Sequence, residues 1–333
     1  MQNNPVIIIS RTDSIGDVVL TLPIAGIIKQ FIPHSKIIFL GKTYTKDVIA
    51  LSEHIDEFVS YNDILKLTEK EQIDVLKKLN ASHIIHVFPV KEIAYLTKKV
   101  GIKNRIGTTN RLWHWFTCNI KISLSRKNSD LHEAQLNTKL LTPLGITKEF
   151  SLEELTANYG FTKIPKLEKI YTDLIDQTKT AIILHPKSKG SAREWGLDNF
   201  SNLITQLDKT KYQIFISGTV QEGELLRDLL SKHPEATNLT GKLSLQQFIA
   251  FINNCDALIA ASTGPLHIAS ALGKKAIGLF APMKPIHPGR WKPIGKQANY
   301  LVLNKDCDDC RKTMNCNCIR EIKIMEVIKL IEK

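Results

Sequence analysis

Ala260-Ala261-Ser262-Thr263-Gly264-Pro265-Leu266-His267-Ile268-Ala269-Ser270-Ala271-Leu272-Gly273 is the stretch that decides the fold. The run Asp256-Ala257-Leu258-Ile259-Ala260 leading into it is short and apolar, as a buried strand is. The small and apolar residues that follow suit a helix pressed on a sheet, and Gly273 is a helix stop. Pro265 fits the first helical turn, where its missing N–H has no partner to lose. A strand, a Ser-Thr-Gly turn and a helix in that order aim free N–H groups and a positive dipole end at one point. Two readings stay open for this junction alone: a turn that merely caps a helix, and an anion site to which Thr263 adds a hydroxyl and His267 a first-turn ring.

Outward from this junction the same alternation repeats. Toward the N-terminus come a helix at 244–253, a strand at 237–239, a helix at 221–230, a strand at 212–216, a helix at 200–207 and a strand at 181–184. Beyond it come a strand at 275–280, an irregular loop punctuated by Pro282, Pro285, Pro288, Gly289 and Pro293, and an amphipathic helix at 319–331. The N-terminal half opens on the β-branched run Val6-Ile7-Ile8-Ile9-Ser10, then a polar Gly-bearing loop and a helix from Val18. Strands at 36–40, 58–60 and 83–88 and helices at 69–79 and 130–144 follow. Strands alternating with helices predict an α/β fold with parallel, doubly wound sheets. At 333 residues the chain exceeds what one core serves. We read residues 1–160 as one domain, 161–178 as a charged linker and 179–333 as a second domain, with the C-terminal helix reaching back to the first.

The formal net charge of +12 asks for an anionic partner: a nucleotide, a negatively charged membrane surface or nucleic acid. No basic-aromatic motif of the usual nucleic-acid modules is present, so nucleic acid is not expected. No apolar run approaches the ~20 residues of a membrane span, and Met1-Gln2-Asn3-Asn4-Pro5 lacks a signal core. A cytoplasmic protein is expected. Cys307, Cys310, Cys316 and Cys318 form C-x-x-C-x5-C-x-C. Four thiolates can hold zinc, but the closing C-x-C is tight for a tetrahedral site, and the reading taken is a reduced cluster without metal.

Ligands of doubly wound sheets bind beyond the carboxyl ends of the strands, so the loops there are the places to look. After the first strand stands Arg11-Thr12-Asp13-Ser14-Ile15-Gly16-Asp17, where Asp17 is either a helix-start carboxylate or a reactive one. After the strand at 181–184 stands His185-Pro186-Lys187-Ser188-Lys189-Gly190-Ser191-Ala192-Arg193-Glu194-Trp195. Arg105, Arg111, Trp113, His114 and Trp115 crowd a third stretch. They suit a sugar- or phosphate-bearing acceptor, or the packing of Trp rings under a solvated Arg rim.

Taken together these motifs resemble one family. Arg11 through Pro23 is similar to the opening signature of the heptosyltransferases, glycosyltransferase family nine. The resemblance continues in Leu131-His132-Glu133 through Leu141, in His185-Pro186 with Arg193-Glu194-Trp195, in Ser262-Thr263-Gly264-Pro265-Leu266-His267, and in the clustered cysteines with Ile319 and Ile322. It implies a GT-B fold, two Rossmann-like domains facing an interdomain cleft. It also implies inverting transfer without a metal or cofactor, from a nucleotide-sugar donor, ADP-heptose, to a lipopolysaccharide-precursor acceptor at the anionic inner membrane. By the same resemblance Asp17 is the catalytic base. Ser188, Arg193, Ser262, Thr263, Gly264, Pro265 and His267 hold the donor phosphates. Arg11, Asp13, Ser14, Gly16, Arg105 and Arg111 face the acceptor.

Two positions depart from the family pattern. Ser262 stands where many members have Asp before Thr-Gly, and Gly196 stands where Pro often follows the Trp. Both lie on the donor side, which leaves another nucleotide sugar, serving a different surface glycan, as the alternative substrate. A nicotinamide oxidoreductase is a competing reading of the same fold, but no G-x-G-x-x-G follows any strand. A non-catalytic nucleotide- or lipid-binding module is the third; Asp17 argues against it.

Overall fold

Strand-forming runs of Ile and Val are buried on both faces in this chain, as parallel strands between helical layers must be. The computed structural model describes residues 4–126, 129–284, 286–305, 307 and 317–333. In it β1 (Val6–Ser10), β2 (Lys36–Gly41), β3 (Glu57–Ser60), β4 (His83–His86), β5 (Asn104–Thr108) and β6 (Ile120–Ile122) form one sheet. All its pairs are parallel and the order is β3-β2-β1-β4-β5-β6. The second sheet contains β7 (Thr180–His185), β8 (Tyr212–Ile216), β9 (Thr237–Asn238), β10 (Ala257–Ala261), β11 (Lys275–Phe280) and β12 (Ala298–Val302). It repeats that order as β12-β11-β10-β7-β8-β9, again all parallel. In each sheet the direction of winding reverses beside the first strand, between β1 and β4 and between β7 and β10. Such reversals are where doubly wound sheets open a crevice for ligands.

The chain divides into two compact units, Met1–Lys163 and Ile164–Lys333. The division falls inside the stretch expected as a linker. Residues 164–178 are not a free tether, since Tyr171 Oη donates to Lys242 O at 2.8 Å and Glu168 N donates to Gln247 Oε1 at 3.0 Å within the second unit.

Each unit has its own core. In the first, Ile8, Ile38 and Ile84 of the sheet pack with Leu76, Ile93 and Leu96 of the helices Glu69–Lys78 and Lys91–Val100. The first of these helices starts with a capping box, Thr68 and Glu71 satisfying each other's main-chain N–H. Gly26, in the helix Pro23–Phe31, lets Asn158 O come where a Cβ would lie only 2.4 Å away. In the second unit Trp195, Phe200 and Leu203 pack with Ile259 and Ile277, and Val327, Ile328 and Ile331 of the C-terminal helix Ile324–Glu332 complete that core. The apolar face of this helix, expected to reach back to the first domain, is thus taken up by the second unit. Trp195 is fully buried there, and its Nε1 donates to Ile322 O at 3.0 Å.

Three strands went unforeseen: β5 begins with polar Asn104-Arg105, and β6 and β12 are half-exposed edge strands without a long β-branched run. Three expected helices are broken. Residues 130–144 form the helix Glu133–Thr138 and a 3-10 turn Lys139–Leu144 that accommodates Pro143. Residues 221–230 split at Leu226, and 319–331 divide into Asn317–Arg320 and Ile324–Glu332. Among the described residues no helix is long and apolar enough to cross a membrane.

Candidate active site

In the first unit the chain leaves β1 with Arg11 N still bonded to Leu40 O at 3.1 Å, so the side chain of Arg11 is fixed at the carboxyl edge of the sheet. The guanidinium is almost wholly buried and meets three carboxylates. Its Nε donates to Asp13 Oδ1 at 2.7 Å, its Nη1 to Glu133 Oε1 at 3.1 Å, and its Nη2 to Asp17 Oδ1. Burying a cation demands such pairing. Arg126 makes a second bond to Glu133 Oε1 at 3.0 Å and joins Asn137 Oδ1 at 3.2 Å.

Asp17 lies in the first turn of the helix Ile15–Val19, whose N-cap is Ser14. Its carboxylate engages Arg11 and the Ser14 hydroxyl, so it is used laterally, in the loop, rather than as a cap. One-fifth of the side chain remains exposed, so one edge of the carboxylate stays open to solvent. Thr21 Oγ1 donates to Asp17 O at 2.8 Å, and Asn137 Nδ2 to Leu20 O at 3.2 Å, tying the helix to the one at Glu133–Thr138. Burial pushes the Asp13 carboxyl up to about 6 against the pull of Arg11, with the Asp17 charge adding to the rise. Burial lifts the Tyr44 phenol as well; its hydroxyl donates to Asp13 O at 2.6 Å.

Of the residues expected to face the acceptor, Arg11, Asp13, Ser14 and Gly16 therefore share one loop with Asp17. Arg105 and Arg111 do not join this cluster. Arg105 donates from Nε to Thr117 O at 2.7 Å and from Nη1 to Ile102 O, stapling main chain to main chain. Arg111 is exposed, its guanidinium carbon 5.8 Å from the Trp113 ring centre. Glu133, quoted in the motif Leu131-His132-Glu133 without a role, completes the cluster, together with Arg126 and Tyr44, which the sequence did not single out. Arg126, in the loop after β6, and Glu133, at the start of the helix Glu133–Thr138, meet at Arg11 through the fold, and their spacing to Arg11 carries no local signal.

In the second unit β7 and β10 are neighbours in register, Ala260 opposite His185, so the loops after them emerge side by side. Thr263 caps the helix Gly264–Ala271, and Pro265 sits in its first turn. The Thr263 side chain makes no capping bond; its hydroxyl is buried with no hydrogen-bond partner among the described residues. A buried hydroxyl left open at a helix N-terminus suits an anionic ligand oxygen. His267, one turn in, is buried, and Ser262 is half-buried.

The loop after β7 is held by Glu194. Its Oε1 accepts from Ser188 N at 3.0 Å and from Ser188 Oγ at 3.1 Å, and Oε2 accepts from Lys187 Nζ. Ser188 Oγ also reaches Ala192 O at 3.0 Å, so this hydroxyl shapes the loop. The motif named Glu194 without this role. Arg193 is half-buried beside it. At the departure position, Gly196 has φ +98°, which the fixed φ of Pro cannot supply. The missing Pro is thus a change of backbone shape. His185 lies at the foot of the loop, Nδ1 bonded to Ser217 Oγ at 2.9 Å. Burial pushes its imidazole down to about 4, against Glu222 and Glu194, so it is neutral at pH 7.

Of the four clustered cysteines, Cys310 and Cys316 lie outside the described residues, while Cys318 is buried in the second core with Cys307 packed near it. Among the described residues no group of three His, Cys, Asp or Glu could hold a metal ion.

Residues 92–319 match the sequence model of glycosyltransferase family 9 (heptosyltransferase). The chain belongs to that family. It is accordingly a glycosyltransferase. The match covers the second unit as far as Ile319 and begins after the Asp17 loop, which rests on the geometry above. Lipopolysaccharide heptosyltransferase 3 of Escherichia coli K12 is 24% identical over 296 residues, 84% of this chain and 82% of that protein. The family 9 glycosyltransferase of Veillonella parvula superposes with a TM-score of 0.81 at 20% identity, over 100% of this chain and 98% of that one. The heptosyltransferase WaaC of E. coli, solved with ADP, gives a TM-score of 0.75 at 16% identity, over 98% and 99%. The two doubly wound units are therefore those of a GT-B family 9 enzyme.

Proposed function

We propose that the protein transfers heptose from ADP-heptose to a lipopolysaccharide core acceptor at the membrane, with inversion and without a metal. The observation that carries this reading is Asp17: a part-exposed carboxylate at the carboxyl edge of β1, held by Arg11 and Ser14. An acceptor hydroxyl is a poor nucleophile. Asp17 takes its proton as the oxygen attacks the anomeric carbon. The bond from that carbon to the diphosphate breaks, and ADP leaves with its electron pair. A single displacement inverts the anomeric centre and needs no enzyme nucleophile.

Charge grows on the leaving diphosphate, where fixed donors and cations act in the transition state. The helix N-terminus at Gly264-Pro265, the open Thr263 hydroxyl and the Arg193 guanidinium are the groups suited to it. The ADP held by WaaC and the lipopolysaccharide heptosyltransferase from E. coli support the choice of donor and acceptor. Ser262 and the turned backbone at Gly196 favour a second reading at the donor side alone, a family member using a different nucleotide sugar.

A donor panel decides between them. Ligand at 100 times its Kd stabilises the native state by about 2.7 kcal/mol. ADP-heptose is expected to raise the melting temperature most and to release ADP in the presence of acceptor. A larger shift and turnover with another nucleotide sugar would replace the first reading by the second. The anomeric configuration of the product, read by NMR, tests inversion.

A further inference from the structure

Helix Leu112–Thr117 has two unlike faces. His114 and Thr117 point inward and are buried, with His114 Nδ1 accepting from Thr108 N at 2.9 Å. Leu112, Trp115 and Phe116, at i, i+3 and i+4, share the other face and are 74%, 55% and 62% exposed. Three large apolar side chains on one short helix form a patch of the kind that marks an interaction site. Around it stand cations. Lys98 Nζ donates to Phe116 O at 2.8 Å, Lys121 Nζ lies 5.4 Å from the Trp115 ring centre, and Arg111, Lys99 and Lys103 are exposed nearby in the chain. Among the described residues, Lys99 pairs with Glu69.

We propose that this face is a membrane anchor: Leu112, Trp115 and Phe116 enter the headgroup–acyl boundary of an anionic bilayer while the surrounding Lys and Arg side chains meet lipid phosphates. Apolar and aromatic residues on one face with cations at its rim are what an interfacial helix needs, and charge complementarity favours lipid over a neutral protein groove. The Trp115 ring has its Nε1 satisfied by Thr109 O at 3.0 Å, so it can lie at the interface without a bare donor. Arg105 is withdrawn from the rim by its main-chain bonds. The role of the anchor rests on the proposed lipid-linked acceptor, but its existence can be tested without any substrate.

The test is sedimentation of the full-length protein with phosphatidylcholine vesicles, with and without phosphatidylglycerol, at low and high salt. Leu112→Ser/Phe116→Ser removes apolar surface and no side-chain hydrogen bond. Wild type is expected to sediment with anionic vesicles at low salt and to be released as salt screens the cations. The double variant should partition about tenfold less or weaker still, since two apolar side chains no longer leave water. Its transfer to a water-soluble, deacylated acceptor should match wild type, which separates loss of the anchor from loss of the enzyme. Failure of wild type to bind anionic vesicles, or equal binding by the variant, would overturn the proposal. So would a concentration-dependent dimer that the variant abolishes in the absence of vesicle binding, because the face would then belong to a second copy. Vesicle binding without heptose transfer would keep the anchor and remove the proposed function.

Discussion

Arg11 and Glu133, 122 residues apart in sequence, meet with Nη1 and Oε1 at 3.1 Å, and each side chain is almost wholly buried. Removing one partner of such a pair strands the other. Glu133→Ala is expected to destabilise the protein by about 3 kcal/mol, the low end for a broken buried pair because Arg11 keeps Asp13 and Asp17. Urea unfolding followed by circular dichroism measures it. An unchanged midpoint would mean that the pair contributes nothing to stability.

Asp17→Asn should keep the fold and donor binding while transfer falls by about 10²–10⁴, the usual worth of a general base. Turnover near that of wild type would reduce Asp17 to a partner of Arg11.

The pH dependence of stability has opposing parts in the first unit. Asp13, pushed from 3.8 up to about 6, keeps its proton in the native state when the unfolded chain has lost it. Its contribution is full below pH 3.8 and is lost as pH rises through 6. His86 is driven by burial from 6.5 down to about 3, with His114 and Arg105 adding to the shift. The unfolded chain takes that proton first, so stability is lost as pH falls below 6.5. Each slope is at most about 1.4 kcal/mol per pH unit, and between pH 4 and 6 they oppose each other. Asp13→Asn leaves His86 uncompensated, so stability should fall more steeply than in wild type between pH 6 and 4. Parallel curves for the two proteins, from urea midpoints at each pH, would show that Asp13 titrates normally.

Arg193→Ala should raise the donor KM and lower kcat together, since a cation on the phosphates acts in both ground and transition states. An unchanged donor KM would place Arg193 away from the diphosphate.

Activity should persist in EDTA if Arg193 and the helix at Gly264 carry the leaving-group charge. Loss that magnesium or manganese restores would assign that work to a metal. Unfolding on chelation would point to Cys307, Cys310, Cys316 and Cys318 as a zinc site.

The sheets were legible where sequence and burial agree. β1, β2, β7, β10 and β11 are continuous apolar runs buried on both faces, and period and length suffice to find them. β6 and β12 are edge strands held by one neighbour each, so their half-exposed sequences carry no such mark. The site shows the same division. Asp17, Thr263 and Gly264 lie at strand–helix junctions, where local order and chemistry coincide. Glu133 and Glu194 stand inside the quoted family motifs, but their partners Arg11, Arg126, Lys187 and Ser188 are delivered by the folded chain, so the motifs named the residues without their roles. Likewise the exposure of Leu112 and Phe116 depends on which face of a short helix the rest of the unit covers, and the sequence left the Trp pair beside them open between packing and recognition.

Trp195 bonded to Ile322 O sets a timetable for the newborn chain. The first sheet is complete in residues up to Ile122, so that half has all its strands early in synthesis. The loop bearing Arg193 leads straight into Trp195, whose hydrogen-bond acceptor lies 127 residues further on. At the ~5–20 residues per second of translation, that gap is on the order of ten seconds. During it the indole and the surface later covered by Val327, Ile328 and Ile331 stand open to chaperones and to other chains. The hazard of misassembly in this protein therefore falls on its second unit, and ends when the helix Ile324–Glu332 docks.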